Sequence, residues 1–127
     1  MYRNILTLCS AAAAVFIAFS ASNVLADDHE VIEEAMKKFH KAPKGTDPIC
    51  KKITNGQGSD EELAGILECY VAMCKAKPPK GEVGPWQDKC KALIAAIKGV
   101  QAKEAGALEK YKEAVNCKAC HKDHKPD

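Results

Sequence analysis

SDEELAGILECYVAMCKAKPPKGEVGPWQDKCKALIAAIKGV, residues 59–100, holds two helices and the break between them. Ser59 and Glu62 have the spacing of a capping box, in which each side chain satisfies a backbone N–H of the first turn. Leu63, Ile66, Leu67, Tyr70 and Cys74 follow at three- and four-residue intervals and give that helix one apolar stripe. Pro78–Pro79 ends it. Pro85 suits the first turn of the next helix, where a missing N–H costs nothing. Trp86, Cys90, Leu93, Ile94, Ile97 and Val100 form the second stripe. A Pro- and Gly-rich turn between two such helices predicts that they run antiparallel, stripe against stripe.

The same periodicity extends outward. Over about residues 28–42, Ile32, Ala35, Met36 and Phe39 share a helical face. KAPKGTDP (41–48) and NGQGS (55–59) punctuate the chain, with a short helical turn expected between them at Pro48–Ile53. A fourth helix is expected from about Lys103 to Lys122, with Leu108, Tyr111 and Val115 inward. Gly106 weakens its start, near a break expected around Gly99–Gly106. No strand-like alternation and no internal repeat is present. The expectation is an all-α fold, a four-helix up-down-up-down bundle. Its core is mostly Ala, Leu, Ile and Val, and at 6% aromatic residues it is thin unless something else fills it.

The first 26 residues read as a cleavable secretory signal. MYRN carries a positive charge, Ile5–Phe19 is apolar apart from Thr7 and Ser10, and Val24 and Ala26 fit a small-residue cleavage rule. The apolar run is shorter than the roughly 20 residues a membrane span needs, so no stable membrane anchor is expected. Residues 27–127 then form one small domain, exported to the periplasm. The chain's formal charge is +2, and Arg3 in the leader is its sole arginine. That near-balance argues against a nucleic-acid partner, while lysine patches suit an acidic protein partner.

Near the C-terminus stands NCKACHKDH, residues 116–124. Cys117-Lys118-Ala119-Cys120-His121 matches C-x-x-C-H, the attachment signature of a c-type haem. Positions i and i+3 lie on one helical face, so both thiols can add to the vinyl groups along one haem edge. His121, the next residue, is placed to ligate the iron from the proximal side. One covalent haem c would also supply the missing apolar bulk. Two other readings use the same residues: structural cysteines, with Cys117 and Cys120 bonded to each other or each bridged elsewhere, or zinc held by Cys117, Cys120, His121 and His124. Zinc sites draw their ligand pairs from separated segments, and adjacent Cys120 and His121 close a tetrahedron poorly.

A helical-bundle chain with C-x-x-C-H close to its C-terminus resembles the class II c-type cytochromes, the cytochrome c-prime and cytochrome c556 family. The resemblance covers residues 27–127 in layout and is sharp only over CKACHKDHK. It implies a basic residue near the proximal histidine, here Lys125. His124 stands where the family often has an aromatic residue, and is expected at a solvated helix end. The first helix faces the distal side of the haem. In the low-spin branch it supplies a methionine to the iron, and Met36 lies on the inward stripe. His40, one turn on and nearer the stripe's edge, is the less favoured distal ligand. His29 is expected in a frayed first turn. The resemblance also allows a homodimer.

Export favours disulfides for the remaining cysteines. Cys69 and Cys74, five apart on one helix, point in directions about 140° apart and bond each other poorly. Across the Pro-Pro turn the levels match for Cys74–Cys90, which leaves Cys50–Cys69.

The sequence thus favours a periplasmic electron carrier with redox-protein partners and no catalytic activity. No Ser–His–Asp layout, phosphate loop or paired-carboxylate signal stands out. A five-coordinate cytochrome c-prime that binds NO or CO shares every motif and differs only at the distal face. A non-haem disulfide or zinc module that binds another protein is the third reading.

Overall fold

The structure, a computed structural model, describes residues 27–127; the expected signal segment lies outside the described residues. Helix α1 spans Asp28–Ala35 and runs on into a π-helical turn, Met36–His40. It is followed by α2 (Ile49–Thr54), α3 (Asp60–Lys75), α4 (Val83–Gln101), α5 (Ala107–Ala114) and α6 (Cys117–His124). The fold is all-α, with no strand among the described residues. None of its helices is long and apolar enough to cross a membrane.

The hairpin read from residues 59–100 is the centre of the molecule. The capping box at Ser59 and Glu62 is formed in both directions, and Pro85 sits in the first turn of α4. α3 and α4 pack along one another, α1 lies on α3, and α5 lies on α4. α2 fills the space beside the π turn, α5 and α3, while α6 touches α4. Ile53, Ile66, Tyr70, Ile97 and Tyr111 are enclosed at the core. Trp86 braces the end of the hairpin: its indole N–H donates to the carbonyls of Met73 (2.9 Å) and Ala76 (3.1 Å). Both carbonyls lie at the C-terminal end of α3, where helix carbonyls run short of intrahelical partners; that of Met73 also accepts the N–H of the C-cap Ala76 at 3.1 Å.

The expected fourth helix is two helices, α5 and α6, and begins at Ala107 rather than Lys103. Gly106 at φ +75° makes the entry turn. At the second break, the Asn116 side chain accepts the backbone N–H of Ala119 at 3.0 Å. An Asn that caps a new first turn competes with continuation of the old helix, so α6 starts afresh at Cys117. Its direction is therefore set independently of α5, and that decides where the motif points.

Candidate haem site

α6 carries Cys117, Cys120 and His121 within its first five residues. Cys117 is exposed, with its thiol donating to the carbonyl of Val115 at 3.5 Å, and Cys120 is half-buried. All three line a cavity of about 340 Å³. Other walls come from Met36 and His40 of the first helix, Tyr70 and Met73 of α3, and Trp86 and Leu93 of α4, and His124 of α6 lines it as well. The size falls within the range usual for small-molecule and cofactor sites, roughly 300–1,000 Å³. Residues separated by some 80 positions in the chain thus face one space. Lys125 lines it too, and so does His29, both from exposed positions.

The polar groups around this space are few and their partners are specific. The hydroxyl of Tyr70 lies 3.1 Å from Nε2 of His40 and 2.8 Å from the hydroxyl of Tyr111. Both tyrosines are wholly buried, and burial pushes both phenols well above their ordinary range. His40 is pushed down to about 4, first by burial and second by the nearby His121. It is therefore a neutral imidazole at pH 7.

His124 corrects the expectation of a solvated helix end: it is 3% exposed. Its Nδ1 donates to the Lys80 carbonyl at 2.9 Å, and its ring stands edge-on to Trp86 at 5.3 Å. A carbonyl only accepts, so the Nδ1 carries the proton and Nε2 is left as a buried lone pair without a partner. The loop that covers it turns at Gly81, φ +81°. A Cβ there would lie 2.7 Å from the Asp123 carbonyl oxygen and 3.0 Å from Nδ1 of His124. Lys89 of α4 pairs with Asp123 at 2.9 Å and holds the same end of α6.

The donor set and the walls fit a haem. Two thiols and an imidazole come from α6 and a thioether from the first helix, and most of the lining surface is apolar. A thioether and an imidazole suit iron, whereas a structural zinc site needs four convergent ligands. No group of three or more His, Cys, Asp or Glu side chains converges to hold a metal ion among the described residues. His124 lines the same cavity as Cys117, Cys120 and His121, but its Nδ1 is held by the Lys80 carbonyl and the four do not converge as a metal-holding group.

All six cysteines of the described residues are free thiols. Neither Cys74–Cys90 nor Cys50–Cys69 stands at bonding distance. Cys90 is buried and pushed up to about 12, first by burial and then by the neighbouring thiols of Cys74 and Cys120. Cys50 has Cys117 as its neighbour, while Cys69 faces Lys38 and Glu34 of the first helix. Neither thiol is among the groups that act on the other.

No family model, curated protein or solved structure matches the chain.

Proposed function

We propose that this protein is an exported, periplasmic c-type cytochrome that carries electrons between redox proteins. The observation that carries this reading is the cavity: Cys117, Cys120 and His121 line it from one short helix, and Met36 lines it from another. Bound haem c supplies reversible one-electron chemistry at its iron. Cys117 and Cys120 would hold it by two thioethers, and His121 would ligate the iron on the proximal side. Met36 is assigned to the distal side, where a thioether favours ferrous iron. Met73, Trp86 and Leu93 give the same space apolar walls. Lys118, Lys122 and Lys125 are exposed beside the motif and offer positive charge to an acidic partner. In this reading α1, α3, α4 and the α5–α6 arm are the four arms of a helical bundle closed around the cofactor.

The test is expression with and without cytochrome maturation machinery. The matured protein is expected to be red, to weigh one haem more than its polypeptide, and to show a low-spin alpha band when reduced. Cys117→Ala together with Cys120→Ala should abolish covalent attachment. Colourless protein of bare polypeptide mass overturns the reading. Rapid carbon monoxide binding to the reduced protein would instead indicate an open distal position.

A further inference from the structure

The first helix brings three side chains with a sulfur or imidazole donor to the cavity, His29, Met36 and His40; His29 stands at the helix's exposed start, and Met36 and His40 share the π turn. Imidazole is a common haem ligand, and its nitrogen needs no change of charge to bind iron. The helical stripe favours Met36 by position, but both side chains reach the cavity, so position alone gives iron no chemical reason to prefer the thioether. The hydrogen bonds around His40 do.

Three groups form a chain: His40 Nε2, Tyr70 Oη and Tyr111 Oη. Tyr111 makes no other side-chain hydrogen bond among the described residues, and His40 Nδ1 makes none. Each hydroxyl has one proton to place, and each can also accept. If Tyr111 donates to Tyr70 and Tyr70 donates to His40, both protons find acceptors. If the chain runs the other way, His40 donates, Tyr70 donates to Tyr111, and the Tyr111 proton is left buried with nowhere to go. Buried donors without acceptors are costly, so the first direction is the stable one. It makes Nε2 an acceptor and places the imidazole proton on Nδ1. Neither nitrogen then offers a free lone pair. Binding through Nε2 breaks the Tyr70 bond, and binding through Nδ1 requires moving the proton and reversing the whole chain.

Resting on the haem reading above, we propose that Tyr70 selects the axial ligand: by donating to Nε2 of His40 it occupies the imidazole lone pair and leaves the distal iron position to Met36. Tyr70 is a positioning residue, acting through His40 rather than on the iron. Tyr111 is its support, since the Tyr111 proton fixes the direction of the chain.

The test uses matured holoprotein, with optical spectra of the ferric form and nitrogen NMR of the diamagnetic ferrous form. The wild type should show the red thioether-to-iron charge-transfer band, and His40 shifts of an Nδ1–H ring with an accepting Nε2. Tyr70→Phe should lose at least half of that band and gain a bis-imidazole spectrum with a lower reduction potential. Tyr70→Phe/His40→Gln should regain the band, which a packing defect at position 70 would not allow. The proposal is overturned if Tyr70→Phe keeps the full band, if the double variant fails to regain it, or if wild-type His40 carries its proton on Nε2. That last measurement needs no variant to fold. Pigmented protein with an unchanged sixth ligand in Tyr70→Phe sinks this assignment alone. Colourless protein of bare polypeptide mass sinks the haem reading beneath it.

Discussion

His40 ties the stability of the folded chain to pH. Its imidazole sits at about 4 in the fold, against an ordinary 6.5 once unfolded. Between those values the unfolded chain binds a proton that the folded chain refuses. Stability is therefore full above pH 6.5, is lost as pH falls toward 4, and is flat with respect to this group below that. Within the window the slope approaches about 1.4 kcal/mol per pH unit. Chemical denaturation at about pH 7.5 and about pH 4.5 checks this, with His40→Gln expected to remove most of the difference; an undiminished difference would assign it to other groups. The sequence placed His40 near the edge of the first helix's stripe and Tyr70 and Tyr111 inward, and all three lie close to those positions. Their bonding was not legible, because Tyr70 meets Tyr111 across 41 positions and His40 across 30. His124 was missed for the same reason: a histidine near a charged, exposed end reads as solvated until the loop at Lys80–Gly81, 44 positions away, closes over it.

At the scale of single helices, signals contained within one turn were legible. The capping box of α3 and the proline in the first turn of α4 involve residues three or four apart, and both stand where the spacing put them. The π turn at Met36–His40 was not, since a stripe at i, i+3, i+4 and i+7 has the same look whether one turn is widened or not. Around it Ala35 and Phe39 lie in the core while Met36 is half-exposed at the cavity wall. Single π turns are common at functional sites. The seat of α6 depends on another local device. Gly81 adopts a left-handed conformation against the Asp123 carbonyl, which any other residue adopts at a cost of about 1–2 kcal/mol before the clash is counted. Gly81→Ala is expected to destabilise the protein by about 2 kcal/mol or more. It should also shift the emission of Trp86, the chain's one tryptophan, to the red as His124 lifts off it. A variant with wild-type stability and emission would show that the loop does not hold α6.

For the molecule as a whole, the thinness read from composition has a structural counterpart. The core is continuous through α1–α5, from Phe39 to Tyr111, yet α6 adds just one buried residue, His124. Instead of closing on the bundle, α6 shares with the first helix, α3 and α4 a cavity of about 340 Å³. Apolar walls facing open space forgo the contacts that close packing would give. An occupant that binds the folded chain alone raises stability by mass action, and a covalently held one cannot be diluted away. If haem is that occupant, the matured protein should melt well above the same chain made without maturation. For about 100 residues, each 1 kcal/mol corresponds to about 4–8 °C. A gain of about 2 kcal/mol, modest for filling such a space, therefore predicts a rise of about 10 °C. Leu93→Ala, which removes part of the α4 wall, should lower the melting temperature of both forms and narrow the gap between them. Calorimetry of the two preparations at one protein concentration decides it, and equal melting temperatures would mean that the cavity wall gains nothing from being covered.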